Sequence, residues 1–212
     1  MFDDARLPRP LSGLPTHHTE GSGDIAGLLD ALAPRHRRLV VVGDDADLAA
    51  VLTGLLHTDR LDVEVGYAPP TRTRGTRAYG LSAGLRAARR ARHGTARRVP
   101  LIRDDTGSVI VGRAGWLPAE SMIPAMIRGE AIVDDTVLFD GAAAAVWIEP
   151  TLAPPGLRAC VPDGRPWRRW VAGRAAQLGT TGAAVVRDGI AAPRTVRRST
   201  FYRNVEGWLL VR

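Results

Sequence analysis

The sequence predicts an α/β domain with a Rossmann-like parallel sheet, followed by a β-rich, antiparallel domain. Up to Gly94, short apolar runs alternate with segments of helical periodicity, which is the rhythm of doubly wound folds. Beyond Gly94 the apolar residues alternate with polar ones and turn-forming pairs separate them, as in antiparallel sheets. We therefore divide the chain into a tail or extended segment at 1–23, an α/β domain at 24–115 and a β-rich domain at 116–212.

Apolar spacing predicts each element of the first half. A helix that ends before Pro34 is indicated by four residues at i, i+3, i+4 and i+7, namely Ile25, Leu28, Leu29 and Leu32. Residues 39–42, Leu-Val-Val-Val, predict a strand that is buried on both faces. The next helix has the apolar face Leu48, Val51, Leu52 and Leu55. Residues 63–65 predict a second strand, and Ser82 and Gly94 are expected to cap a third helix.

Short strands dominate the prediction for the second half. Residues 99–103 and 109–112 flank Asp-Asp-Thr-Gly, which predicts a hairpin. Further strands are predicted at 131–139, 145–149, 157–161, 183–187 and 208–212. No long helix is expected here, so the sheet is predicted to be mostly antiparallel.

Composition favours a soluble, cytoplasmic protein with a basic surface. The net charge is +7, and all 29 basic residues are arginine. Because guanidinium groups bind phosphate and carboxylate in bidentate fashion, we expect anionic partners such as nucleotides, lipid head groups or nucleic acid. The single cysteine, Cys160, excludes an intrachain disulfide and a multi-cysteine zinc site. The sequence has neither a leader nor a long apolar run, so we expect any membrane contact to be peripheral.

The densest basic patch falls on the predicted third helix and just beyond it. The residues that we assign to an anionic surface are Arg86, Arg89, Arg90 and Arg97. A solvated helix face explains such a strip without any ligand. Contact with an anionic membrane is the functional alternative, and nucleic acid is the less favoured one because few aromatic residues for base stacking lie among the arginines.

The turn after the first strand carries the most specific motif. Residues 40–56 read VVVGDDADLAAVLTGLL. They resemble the strand, Gly-Gly-Asp-Gly-Thr turn and helix of the diacylglycerol kinase and NAD kinase superfamily. Gly43 matches the first glycine and Asp45 the aspartate, whereas Asp44, Ala46 and Asp47 replace glycine, glycine and threonine. The resemblance, which covers residues 25–115, implies a degenerate member with the α/β and β-rich layout of those kinases.

Residues 65–81, VGYAPPTRTRGTRAYGL, resemble a second segment of the lipid kinases. There the family has a proline, a Gly-Thr-x-Asn-Asp-Phe-Ala-Arg phosphate segment and a Leu-Gly-Leu ending. The Asn-Asp pair is absent from this chain, and arginines stand in its neighbourhood. The resemblance implies that the candidates for nucleotide or phosphate binding are Gly43, Asp44, Asp47, Thr71, Arg72, Thr73, Arg74 and Arg77.

The acidic turn is expected to oppose phosphate. A glycine-rich turn binds an anion because backbone N–H groups approach it closely at a helix N-terminus. Here Asp44, Asp45 and Asp47 place carboxylates at that position, and each repulsion at 4 Å is worth about 1 kcal/mol in water and ~4 kcal/mol at an effective dielectric of 20. Two extra carboxylates therefore weaken phosphate binding by on the order of 10²- to 10³-fold.

Two interpretations of the aspartates remain open. Asp44 or Asp45 caps the following helix, or Mg²⁺ bridges the carboxylates to a phosphate while nearby arginines replace the lost donors. The leading hypothesis is a protein that binds a phosphorylated or lipid ligand, or a protein partner, without efficient phosphoryl transfer. The competing hypothesis is an active lipid kinase that uses Mg²⁺ and ATP, with Asp45 as its catalytic residue. No residue is assigned to a resident metal site.

Overall fold

The computed structural model describes residues 6–19, 25, 27, 37–119, 125–162 and 169–212. A short 3₁₀ turn, Arg9–Leu11, comes first. The elements of the first half are then β1 (Arg38–Val41), α1 (Asp45–His57), β2 (Glu64–Tyr67), α2 (Arg74–Ala78), α3 (Gly84–His93) and β3 (Ala96–Val99). The predicted helix at residues 25–32 lies outside the described residues except for Ile25 and Gly27, which are helical.

Strands make up the rest of the described chain. They are β4 (Ile102–Asp104), β5 (Val109–Ile110), β6 (Ala114–Pro118), β7 (Ile127–Val133), β8 (Thr136–Ala143), β9 (Val146–Pro150), β10 (Leu157–Cys160), β11 (Val171–Gly173), β12 (Ala175–Arg187), β13 (Ile190–Ala191), β14 (Val196–Arg203) and β15 (Trp208–Val211). The predicted fold class is confirmed, because an α/β unit precedes a large antiparallel one.

The first sheet has the strand order β1-β2-β15-β3. β2 pairs in parallel with both β1 and β15, and β3 closes the sheet in the antiparallel sense. The strand predicted at 208–212 is therefore β15, and it returns from the end of the described chain to the first sheet. The carboxyl ends of β1 and β2 lie side by side, and α1 follows β1 at this edge.

The second sheet is antiparallel and is organised around β12, which has 13 residues. β12 pairs with β14, β6, β7 and β13. The predicted hairpin around Asp-Asp-Thr-Gly is confirmed as β4 and β5. β4 and β5 directly follow β3 in the chain. The connection from β5 to β6 lies beside Asp45 and Arg74 of the first half.

Each sheet has its own hydrophobic core. α1 buries its predicted apolar face in the first core, where Tyr79 and Trp208 meet edge to face with ring centroids 5.4 Å apart. In the second core Trp116 and Phe201 pack together, and the Trp116 indole donates to the buried Ser199 hydroxyl. Among the described helices, none has both the length and the apolar character that a membrane span requires.

Three local predictions were wrong. The strand predicted at 99–103 is divided, because Val99 ends β3 in the first sheet and Ile102 begins β4 in the second. The segment 131–139 was predicted as one strand, but β7 and β8 form a hairpin that turns at Asp134, whose φ of 48° lies in the left-handed region. Aspartate tolerates this conformation better than most residues, so the turn interrupts an otherwise strand-like run. Ser82 was predicted to cap the third helix, whereas α3 begins at Gly84 after Ala83, without a side-chain cap.

Candidate functional site

The acidic turn lies where ligands bind in doubly wound folds, at the carboxyl ends of parallel strands. Gly43 and Asp44 connect β1 to α1, and Tyr67 ends the neighbouring strand β2. The connection from β5 to β6, residues 111–113, and the turn after β12 approach the same place from the second sheet. Both sheets thus contribute residues to this site.

A capping box formed by two aspartates closes the N-terminus of α1. The Asp44 carboxylate accepts a hydrogen bond from the Asp47 N–H at 3.0 Å, and the Asp47 carboxylate accepts one from the Asp44 N–H at 2.7 Å. Two backbone donors that would otherwise face an anion are therefore bonded within the chain. Asp44 is the N-cap, while Asp45 is the first helical residue.

Gly43 leaves room for the Asp47 carboxylate. A Cβ atom at this position would lie 2.1 Å from the Asp47 Oδ2 atom. Any larger residue would displace the Asp47 side chain and break its bond to Asp44. The glycine that matches the kinase motif thus serves the internal carboxylate in this structure.

The Asp45 carboxylate turns away from its own helix and joins three segments. It accepts the Tyr67 hydroxyl at 2.9 Å and the Gly75 N–H, near the start of α2, also at 2.9 Å. Burial, with the Asp45 charge beside it, raises the pKa of Tyr67 far above its ordinary value, so this hydroxyl remains a donor. Both oxygens of Asp45 therefore have protein partners.

A second aspartate, Asp188, holds the connection between β5 and β6, and the residue is partly exposed. Its carboxylate accepts the N–H groups of Val111 at 2.8 Å, Gly112 at 2.7 Å and Arg113 at 2.8 Å. Three consecutive N–H groups that converge on one anion form a backbone anion site. Here the chain's own carboxylate fills that site.

The two carboxylates of Asp45 and Asp188 meet at Gly112. A Cβ atom built on Gly112 would lie 2.5 Å from an Asp45 oxygen and 3.0 Å from an Asp188 oxygen, so these oxygens are within about 5.5 Å of each other. Burial raises the pKa of Asp188 to about 7, against its three N–H bonds, and the Asp45 charge adds to the rise. The Asp188 carboxyl group therefore gains and loses its proton near neutral pH.

Gly43, Asp44 and Asp47 lie at the α1 turn described above, and the other residues predicted to bind phosphate divide into two groups. Thr73 is the N-cap of α2 and forms a capping box with Thr76, so its hydroxyl is engaged in the helix start. The others, Thr71, Arg72, Arg74 and Arg77, are exposed along the same segment. The Cβ atom of Arg74 lies beside Gly112, which places this arginine next to the Asp45 and Asp188 carboxylates.

The backbone donors around the acidic turn are already engaged by internal carboxylates. The N–H groups of Asp44, Asp47 and Gly75, and those of residues 111–113, already bond to carboxylates. The remaining first-turn N–H groups of α1 are flanked by Asp44 and Asp47. Within the described residues, no three His, Cys, Asp or Glu side chains converge as metal ligands.

The predicted anionic surface lies elsewhere. Arg86, Arg89 and Arg90 lie on α3 and line one open groove, whereas Arg97 is an exposed residue of β3 outside that lining. The structure thus brings together three of the four arginines that were assigned to this surface.

Sequence reasoning missed Asp188, Gly112, Tyr67 and Gly75 as members of the site. In the sequence, Asp188 and Gly189 form one of the turn-forming pairs that separate the predicted strands. Asp188 does form that turn, with φ of 47°, and the same geometry aims its carboxylate at residues 111–113. Only the pairing of β12 with β6 brings the two segments together.

Comparison with solved structures identifies the fold. A diacylglycerol kinase from Bacillus anthracis str. Sterne aligns with a TM-score of 0.67 at 14% identity, over 92% of this chain and 84% of that chain. An NAD kinase from Archaeoglobus fulgidus in complex with ATP aligns with a TM-score of 0.56 at 13% identity, over 90% of each chain. Yeast NADH kinase complexed with NADH gives 0.54 at 13% identity, over 97% of this chain and 69% of that chain.

Sequence comparisons add no relative, because no family model and no curated protein matches this chain. The predicted resemblance to the diacylglycerol kinase and NAD kinase superfamily is confirmed at the level of the fold.

Proposed function

We propose that this chain, which has the fold of the diacylglycerol and NAD kinases, binds a phosphorylated or lipid ligand without efficient phosphoryl transfer from ATP. The observation that carries the proposal is the set of internal carboxylates on backbone donors at the α1 turn and at residues 111–113. A phosphate that entered either place would have to displace a carboxylate already bonded there.

Electrostatics supports the same conclusion. Asp44, Asp45 and Asp47 lie within the first turn of one helix, and Asp188 adds a fourth carboxyl group beside Gly112. Each charge pair at about 4 Å costs a phosphate from ~1 to ~4 kcal/mol, depending on its exposure to water. A triphosphate is repelled more strongly than a monoester because it carries more charge.

The neighbouring arginines supply a different way to hold a phosphate. Arg72, Arg74 and Arg77 are exposed beside the carboxyl end of β2. Within the described residues, none of the three forms an ion pair with a carboxylate. Long guanidinium side chains reach past these aspartates and bind a phosphate monoester through charge-assisted, bidentate hydrogen bonds. This arrangement suits a head group at the rim of the site.

Replacing Arg72, Arg74 and Arg77 together by glutamine is expected to weaken binding of short-chain phosphatidic acid about a hundredfold. Charge-assisted hydrogen bonds contribute about 1.5–3 kcal/mol each, and exposure at the rim reduces that figure. Calorimetry with short-chain phosphatidic acid and with glycerol 3-phosphate measures the effect and separates the acyl chains from the phosphate.

The matched control is the triple variant of Arg128, Arg194 and Arg197 to glutamine. These arginines are exposed on the second half of the chain, so the control loses the same charge at a different place. We expect native affinity in the control. Equal losses in both triple variants, or no binding by the native protein, would refute the proposed site.

An active lipid kinase is the second candidate, and the Asp45–Asp188 pair is the observation that favours it. A carboxyl group with a pKa near 7 suits general base catalysis near neutral pH. Protein that phosphorylates diacylglycerol with a turnover of about 1–100 per second, as kinases typically do, would replace the first proposal by this one. In that case Asp45→Ala is expected to abolish both the turnover and Mg-ATP binding.

A further inference from the structure

A second basic feature lies outside the α1 site. An open groove of about 1200 Å³ is bounded by α3, the 3₁₀ turn and the last described residue. Its lining residues are Arg9, Pro10, Arg86, Arg89, Arg90, Arg92, His93, Gly94 and Arg212. We call it the α3 groove. Six of the nine are arginines, and no acidic side chain is among them, so the groove is strongly cationic.

Packing of α3 explains why its arginines are presented together. The helix buries Ala87, Ala88 and Ala91 against β2 and the 3₁₀ turn. A Cβ atom on Gly66 of β2 would lie 2.7 Å from the Ala91 Cβ atom, so the helix lies directly on the sheet. Small residues on one face leave the outward positions to arginine, and the close packing keeps that face in place.

Internal carboxylates do not neutralise the centre of the groove. Glu64, the acidic residue of β2 near this end of α3, forms its ion pair with Arg38. Arg38 also donates to the Arg92 carbonyl at 2.9 Å. Arg92 itself donates to the Pro10 carbonyl at 2.6 Å and ties α3 to the 3₁₀ turn. Among the described residues, no carboxylate pairs with Arg86, Arg89 or Arg90.

An exposed leucine stands beside these charges. Leu85, in the first turn of α3, is 54% exposed and lies one helical turn from Arg89 on the same face. Basic residues next to an exposed apolar side chain are typical of helices that lie on anionic membranes. No aromatic side chain lines the α3 groove, which disfavours stacking with nucleic acid bases.

We propose that the α3 groove docks the protein on an anionic membrane surface. The guanidinium groups bind lipid phosphates, and Leu85 enters the interfacial layer beside them. The groove shares no lining residue with the α1 site. Docking therefore does not depend on what the α1 site binds, and each inference fails or succeeds on its own experiment.

Co-sedimentation with vesicles tests the docking surface. The full chain is expected to bind vesicles of phosphatidylcholine and phosphatidylglycerol in roughly equal amounts, and to leave pure phosphatidylcholine vesicles unbound. Each arginine near an anionic surface contributes about fivefold in affinity, so Arg86, Arg89 and Arg90 replaced together by glutamine should cost about a hundredfold. The Arg128, Arg194 and Arg197 triple variant is the control, with native binding expected.

Two further measurements separate a membrane from other polyanions. Raising the ionic strength from about 0.05 M to 0.5 M should release the native protein, because screening removes the attraction. Leu85→Ser should weaken vesicle binding several-fold and leave binding to a DNA duplex unchanged. Vesicle binding that survives the α3 triple variant overturns the proposal, and so does a protein that binds DNA through these arginines but ignores anionic vesicles.

Discussion

Replacing Asp188 by alanine is expected to lower the free energy of unfolding by about 3 kcal/mol near pH 5, as measured by urea unfolding. The carboxyl group accepts the N–H groups of Val111, Gly112 and Arg113, and the substitution leaves all three without that acceptor. A buried donor that loses its partner costs about 1–3 kcal/mol. The total for the three donors is expected near the low end, about 1 kcal/mol for each, because the two segments relax and admit water.

The same substitution is expected to cost less near pH 8. The pKa of Asp188 is raised from 3.8 to about 7, chiefly by burial. A carboxyl group with a raised pKa contributes stability that is fully present below its unfolded value of 3.8 and is lost as the pH rises through about 7. The Asp188→Ala variant has no such titration, so its curve of unfolding free energy against pH lacks this fall. The difference between the two proteins therefore shrinks from pH 5 to pH 8.

Asp134→Ala is the matched control for this prediction. Asp134 also has a positive φ and also accepts backbone N–H groups, from Arg174 and Ala175, but it is exposed. Water replaces the lost acceptor there, so we expect a loss of about 1 kcal/mol. An Asp188→Ala loss that is no larger than this, or that grows with pH, would contradict the assigned role.

Restoring the Gly-Gly-Asp-Gly-Thr turn is the second change with a large expected effect. The triple variant Asp44→Gly, Ala46→Gly and Asp47→Thr removes two carboxylates and opens the backbone N–H groups that they hold. We expect its affinity for Mg-ATP to exceed that of the native protein by on the order of 10²- to 10³-fold. Calorimetry measures this difference directly.

The restored turn also loses its capping box, so a cost of about 1–2 kcal/mol in stability is expected, and circular dichroism checks that the variant stays folded. A control that removes two exposed aspartates elsewhere, Asp105→Gly with Asp135→Thr, corrects for net charge. If the restored turn and the control bind Mg-ATP equally weakly, the carboxylates are not what excludes the nucleotide.

Local chemistry explains which features the sequence predicted. The strand at residues 39–42 follows from four adjacent apolar residues, and the turn follows from the Gly-Asp-Asp-Ala-Asp segment directly after it. Asp44 and Asp47 are three positions apart, which is the spacing of a capping box. Neighbouring residues determine features of this kind, so the strand and the helix start at the acidic turn were predictable without coordinates.

The composition of the site was not predictable, because it depends on long-range pairing. Asp188 bonds to Gly112 across 76 positions, and the contact exists because β12 pairs with β6. Similarly, β15 has the apolar character of any buried strand, and nothing local shows that it joins β2 in the first sheet. Strand β14 was missed because its Arg-rich segment lacks a continuous apolar alternation.

We conclude that internal carboxylates occupy the backbone N–H groups that would otherwise bind a phosphate. Titration of the native protein with Mg-ATP, followed by calorimetry up to about millimolar concentration, tests this central claim most directly. Because the Asp44, Asp47 and Asp188 carboxylates already accept those N–H groups, we predict no saturable heat. Saturable binding that Asp45→Ala abolishes would contradict the account.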